Sequence, residues 1–591
     1  MKSSTARWLG MSLALAAGSL SIGPGVHAQE QEIASKAPAK IEPWVLENTR
    51  TGAQAEFIVV LEKQADLAAA AKLKSKLSKG RFVYETLFQT AEESQKPIRA
   101  LLDARGVEYR PFYLVNAILV KGDRALAQTL AARSDVRRID GNPEMRQALP
   151  EPESLEAGTE GLDVWTGTAI LTAEPGITYV RAPLVWNLGY TGQGVVVASA
   201  DTGYRWTHAA LKKSYRGWNG TTANHDYNWH DAIHHGTGPC KANSPQPCDD
   251  FGHGTHTLGT IVGLAGANRI GMAPGARWIG CRNMDQGDGT PARYIECMEF
   301  FLAPYPVHGN TSQGDPAKAP DVTSNSWICP ASEGCTKPDV LLTAIANTRA
   351  AGIAVVAGAG NSGPNCSTIA DPPSLYDPVL TVGALTTGTD SIVSFSSRGP
   401  VTVDHSNRLK PDLSAPGTKI RSADVLSNTG YVSYSGTSMA APHVAGGVAL
   451  LLSAFPSLAG NVDEIESRLT SSAHRIPLPA ATCGSKAGAV PNNVYGFGRL
   501  DLGCAVPAKV SGAATIPSGG AATLTVDLVG QGPWTLTWSD GFVQSGVLTT
   551  PAARSVSPAV TTTYSLTQVS SSGCSQPGAG SATVTVAAAL H

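Results

Sequence analysis

"YSGTSMAAPHVAGGVALLLSA", residues 434–454, sets a serine, Ser438, among small residues and then runs straight into an apolar helical pattern. A tight turn feeding a helix leaves the Ser438 hydroxyl at the helix start, where unpaired backbone N–H groups and the positive dipole end favour developing negative charge. That suits a nucleophile, and it equally suits a helix cap, a role serine fills well. The stretches around it bear on the choice. "GQGVVVASADTG", residues 192–203, is an apolar run that ends in Asp201, Thr202 and Gly203. "ARWIGC", "DVTSNSW", "GIAVVAGAGN" and "PVLTVGA" repeat the theme of short apolar runs closing in polar or glycine-containing loops. Helical patterns fall between them, at 253–262, 292–301, 338–351 and 438–454. Continuous apolar strands separated by helices predict an α/β domain with a mostly parallel sheet covered on both faces. In such sheets sites gather beyond the carboxyl ends of the strands, where both Asp201 and Asn361 fall.

"DDFGHGTHTLGTIVG", residues 249–263, puts His253 between glycines at a helix start. A histidine whose second ring nitrogen is held by a carboxylate can take a proton from serine, and Asp201 is a suitable orienter. His256 follows three residues on, without the i,i+4 pair and glutamate of a zinc-protease helix. Asn361, in "GAGNSG", offers a neutral amide donor for an oxyanion from a loop in which glycines permit close approach. His225, His230, His234 and His235 lie on a Trp- and Asp-containing loop and read as surface or supporting groups rather than metal ligands.

Asp201, His253, Asn361 and Ser438 sit in stretches that together resemble the signatures of the subtilisin-like serine peptidases: "DTG", "HGTH", "GAGNSG" and "GTSMAAPH", in that family's chain order. "FSSRGP" at 395–400 and "KPDLSAPG" at 410–417 add to the likeness, and "HDYNWHDAI" at 225–233 is most similar to the bacillopeptidase F type. The resemblance covers about 177–506. It implies a serine endopeptidase in which Asp201 is the triad aspartate, His253 the general base and then acid, Ser438 the nucleophile and Asn361 the oxyanion-hole amide. It also implies that Ser324, Asn325, Ser326 and Trp327 form a substrate-binding strand; Ile328 and Cys329 follow where family members often have glycine first. No cofactor is expected for catalysis, and structural calcium is an expectation from the family alone. An α/β-hydrolase esterase would show a G-x-S-x-G elbow and the order serine, acid, histidine. A binding protein built on a dead peptidase would lack a triad member. Neither description fits.

The rest of the chain is organised around this domain. With 591 residues, several folding units are expected. A net charge of −2 with 16% charged residues gives no basic field for nucleic acid. Residues 1–28, with Lys2 and Arg7 before an apolar run and a small-residue end, read as a cleaved export signal. The product is then secreted and extracellular, with no membrane span in its mature form. Residues 29–150 hold a strand–helix–strand–helix–strand pattern, folded over about 55–144: "AEFIVVLEK" at 55–63, a helix at 92–105, "YLVNAILVKG" at 113–122, a helix at 124–133 and a strand at 136–139. By position and pattern this α+β unit resembles the family's inhibitory propeptide, removed by self-cleavage in a linker and maturation region at 151–176. Residues 507–591 alternate apolar with small polar residues between turns and predict an immunoglobulin-like β-sandwich. Trp534 and Trp538 fit either a binding platform or its core. The expected partners are protein or peptide substrates and the chain's own propeptide, in a monomeric enzyme. Of the ten cysteines, Cys240/Cys248 and Cys329/Cys335 are the first pairs expected, with Cys281/Cys297 and Cys483/Cys504 behind them and Cys574 unassigned.

Overall fold

Seven short runs of β-branched and small residues build the central sheet. In spatial order they are Leu413–Pro416, Leu380–Leu385, Ala354–Gly358, Val322–Asn325, Val196–Asp201, Arg277–Arg282 and Trp229–Asp231, with every pair parallel. The computed structural model describes residues 40–153, 173–236 and 238–588. The expected export signal at 1–28 and most of the expected linker, 154–172, lie outside the described residues.

The strands are buried on both faces, which is why they read as continuous apolar runs. One face carries the helices His253–Val262 and Thr437–Ala454, and the other carries Pro291–Leu302 and Leu342–Ala350. Every residue of Thr437–Ala454 is buried. Its mean hydropathy of 1.3 over 18 residues is enough for a membrane span. It has that character because it is a core helix wrapped on all sides.

The N-terminal unit is an antiparallel sheet ordered Tyr109–Phe112, Ala117–Gly122, Ala55–Leu61, Val136–Gly141. Strand alternation explains its two-sided packing. Phe57, Val59 and Leu61 face Ile98, Leu102 and Leu130 of the unit's own helices, whereas Ile58 and Val60 belong to the cluster shared with the peptidase domain. Three expectations need revision and one strand is added. The folded part begins at least as early as Lys40, because Ile41 and Val45, at the helix Pro43–Asn48, complete the core. The helix expected at 92–105 is two helices, Lys76–Ser94 and Lys96–Ala104, divided where Pro97 withholds an N–H. The strand expected from Tyr113 begins only at Ala117. Residues 109–112 add a strand that the sequence reading missed.

The C-terminal unit is a β-sandwich. Trp534 and Trp538 lie in its core, 3% and 1% exposed, not on a platform. All ten cysteines are paired: Cys240–Cys248, Cys281–Cys297, Cys329–Cys335, Cys366–Cys483 and Cys504–Cys574. The expected Cys483/Cys504 pair is corrected. Cys504 sits on the short helix Leu502–Ala505 facing the sandwich and Cys483 faces the loop after Asn361, so proximity in sequence misleads.

Candidate functional site

Asp201 ends the Val196–Asp201 strand, at the carboxyl edge of the sheet. One of its oxygens accepts from Thr202 N at 2.8 Å and from His253 Nδ1 at 2.8 Å, and the other accepts from Thr257 Oγ at 3.2 Å. His253 opens its helix, is fully buried, and stands on a glycine, Gly252, with φ 103°. Burial works to lower the His253 pKa, but the adjacent Asp201 and the nearby Asp249 outweigh it and hold the imidazole above its ordinary value. His256, one turn on, is pushed down to about 3, chiefly by burial, and its Nε2 donates to Ile420 O at 3.0 Å. It is a neutral packing group.

Asp249 is a residue that the sequence reading passed over. Partly buried, it accepts from Thr202 Oγ at 3.0 Å, Phe251 N at 3.0 Å, Gly252 N at 2.8 Å and Thr255 N at 3.0 Å. One carboxylate thus ties the aspartate turn to the histidine helix. The signal was present: an acidic pair directly before a glycine-flanked histidine, where a helix start offers free N–H groups.

Ser438 is the second residue of Thr437–Ala454 and 6% exposed. Its Oγ donates to Ser326 O at 3.4 Å rather than to His253. The position toward which His253 Nε2 points is taken by Gln147, whose side-chain amide nitrogen lies 3.4 Å away. Asn361 is exposed on its loop, and its Oδ1 accepts from Thr437 N and Thr437 Oγ, both at 3.0 Å. That fixes the amide so that Nδ2 is the free donor. A Cβ placed on Gly436 would be 3.7 Å from both Asn361 Nδ2 and Ser438 N, so these two donors flank one point beside the serine.

Ser324, Asn325, Ser326 and Trp327 are all buried, with the first three ending or following the Val322–Asn325 strand. Trp327 stacks on Tyr294, ring centroids 3.8 Å apart. Beside them residues 145–149 of the N-terminal unit run through the cleft. Met145–Arg146 pairs antiparallel with Asp288–Gly289, and Gln147 N donates to Gly287 O at 2.8 Å.

Two of the four loop histidines, His230 and His234, converge on Glu296 of Pro291–Leu302, while His225 meets Tyr215 and His235 meets Glu108. His230 Nε2 and His234 Nε2 lie 2.8 and 2.7 Å from Glu296 Oε1, with Arg110 of the N-terminal unit 3.2 Å from the same oxygen. Burial opposes ionisation of Glu296, yet Arg110 and the two imidazoles hold its pKa well below the usual carboxylate range. Among the described residues, no three His, Cys, Asp or Glu side chains form a group suited to a metal ion.

A strand-end aspartate, a helix-start histidine and a helix-start serine around a parallel sheet define a subtilisin-like serine peptidase. The Subtilase family profile matches residues 192–498, and the chain belongs to that family. Its relatives point to the bacillopeptidase F type. Bacillopeptidase F of Bacillus subtilis (strain 168) is 35% identical over 475 residues, 78% of this chain and 30% of that protein. The chain therefore spans about a third of that relative's length. Serine protease AprX of the same strain is 32% identical over 343 residues, covering 54% of this chain and 67% of AprX. Subtilisin DY of Bacillus licheniformis is 32% identical over 306 residues, 51% of this chain and 92% of the relative. Among solved structures, a mutant of the epidermin leader peptide processing serine protease of Staphylococcus aureus superposes with a TM-score of 0.53. It is 16% identical and covers 76% of this chain and 98% of its own, a likeness of fold.

Proposed function

We propose that the protein is a secreted serine endopeptidase, made as a precursor that processes itself, with Ser438, His253 and Asp201 as its triad. The observation that carries this reading is the buried Asp201–His253 pair at 2.8 Å, in a domain that also sets Ser438 at the start of a buried helix with the Asn361 amide beside it. Ser438 Oγ attacks a peptide carbonyl while His253 Nε2 takes its proton. Asp201 holds the Nδ1–H tautomer and stabilises the imidazolium. The tetrahedral oxyanion forms between Asn361 Nδ2 and Ser438 N–H, two donors already aimed and costing no reorganisation. His253 then protonates the leaving amine, and water repeats the sequence on the acyl-enzyme. Ser324 to Trp327 are assigned to one wall of the substrate cleft.

The N-terminal unit is assigned as an inhibitory propeptide, supported by the strand it adds to the cleft and by Gln147 at His253 Nε2. Secretion is supported by the signal-like start and by five disulfides, which persist in oxidising compartments. The test compares exported wild type with Ser438→Ala by intact mass, casein digestion and labelling with a serine-directed phosphonate. Wild type is expected to mature, digest casein and take the label, and the variant to do none of these. A correctly folded wild type that stays full length and inactive overturns the reading.

A further inference from the structure

The position of residues 145–149 fixes more than inhibition. Met145 is 2% exposed, its Sδ 3.8 Å from Cys329 Sγ, and it packs in the cluster that holds Met284, Tyr294 and Trp327. Antiparallel pairing then sets the register: Met145 opposite Gly289, Arg146 opposite Asp288, and Gln147 bonded to Gly287. Gly287 has φ 93°, and a Cβ there would stand 3.1 Å from the Gln147 carbonyl oxygen. That carbonyl therefore faces the edge strand and not the serine. Two residues later Leu149 packs on Ile420, Tyr434 and Met439, and Met439 directly follows Ser438. Farther along, Glu153 N donates to Ser433 O at 3.0 Å. The chain thus crosses the nucleophile between Gln147 and Leu149, and the one carbonyl between them is that of Ala148.

Resting on the peptidase reading above, we infer that the bond this enzyme first cuts in its own chain is Ala148–Leu149, before the expected linker at 151–176. Ser438 Oγ bonds to the Ala148 carbonyl carbon as its proton passes to His253. The Ala148–Leu149 C–N bond breaks, and that proton goes to the Leu149 nitrogen, leaving Ala148 esterified to Ser438. Water then adds its hydroxyl to the Ala148 acyl carbon and its proton to His253, which returns it to Ser438. The products are a chain ending in the Ala148 carboxylate and one beginning at Leu149.

The test is a time course of exported full-length protein, reading the earliest new N-terminus by mass and sequencing, for wild type, Ser438→Ala and Leu149→Pro. Leu149 is expected as the first N-terminus in wild type, with Ser438→Ala uncut and Leu149→Pro uncut at this bond. As a second readout, the matured enzyme is given a synthetic peptide of residues 141–155. It should be split between its Ala and Leu, and Met145→Asp should slow that cleavage tenfold or more. A first cut at Gln147–Ala148 or within 151–176 in wild type, with Ser438→Ala uncut, overturns this bond and leaves self-processing standing. Cleavage of Ser438→Ala at the same place assigns the cut to another peptidase and overturns the inference. No cleavage and no casein digestion by wild type would instead remove the peptidase reading itself.

Discussion

The two accessory units grip the peptidase domain in opposite ways. The N-terminal cap has no cysteine and holds on through hydrogen bonds, ion pairs and a shared apolar cluster: Lys76 to Asp321 at 2.7 Å, Tyr84 OH to Thr311 O at 2.7 Å, Asn347 to Leu114 O at 2.7 Å. The C-terminal sandwich is tied covalently by Cys504–Cys574, backed by Lys509 to Leu188 O at 2.9 Å and Gln576 to Ser471 at 2.9 Å. Residues 145–149 of the cap run beside Asp288–Gly289 at the cleft, while the sandwich sits against Leu502–Ala505, which packs on Ala182–Asn187 and Val462–Ser471. One peptide cut between the units ends the covalent tie of the cap, whereas Cys504–Cys574 keeps the sandwich linked through a cut at their junction.

The largest effect on this contrast is expected from Ser438→Ala. Casein hydrolysis should fall by roughly 10⁴-fold or more. The cap should remain in covalent linkage by intact mass, with the sandwich unchanged.

A second test concerns how the cap is held. Glu299 accepts from Tyr113 N at 2.7 Å and Leu114 N at 2.9 Å. Burial beneath the cap pushes its pKa up to about 8, against those two hydrogen bonds that favour the anion. Removal of the cap, as proposed, is expected to let water reach the group and bring it back toward the ordinary value of 4.5. The raised pKa belongs to the capped form, so cap binding takes up a proton. Affinity is full below the lower value, declines as pH rises through the window and levels off above about 8. The slope should approach tenfold per pH unit, read as the cap concentration needed to inhibit the processed enzyme. Glu299→Gln should flatten it.

Cys574→Ala should leave casein activity unchanged and destabilise the docked sandwich by about 2–4 kcal/mol, seen as an earlier unfolding transition for that unit. The smallest effect is expected from Asp123→Ala. Asp123 caps the helix Arg124–Ala131 by accepting from Leu126 N at 2.9 Å. Its loss should cost about 1 kcal/mol of cap stability and leave the sandwich untouched in the same thermal scan.

Legibility in the sequence followed the same division. In the peptidase domain local pattern and tertiary role agree: a strand that ends at Asp201, a helix that begins at His253 and another that begins at Thr437 were all readable from period and punctuation. In the cap they part company. Residues 113–116 are apolar enough to read as strand, yet the N–H groups of Tyr113 and Leu114 go to Glu299, a partner 186 and 185 residues away. Cys366 and Cys483 are 117 residues apart, and nothing local announces their meeting. The role of Gln147 was likewise hidden, since a glutamine in a polar stretch carries no mark of what it will touch.

The wholly buried helix behind Ser438 has one more implication, for how such an enzyme can vary. All 18 of its residues are buried, and close-packed interiors transmit a change of even one methylene. An error of about 1 Å at the reacting atoms is enough to cost on the order of 100-fold in rate. Drift in this helix is therefore read out directly at Ser438, the proposed nucleophile. The cleft edge around Asp288 and the loop bearing Leu426, 83% exposed, carry no such penalty. Divergence in what is bound can proceed at the rim while the interior keeps the chemistry in place.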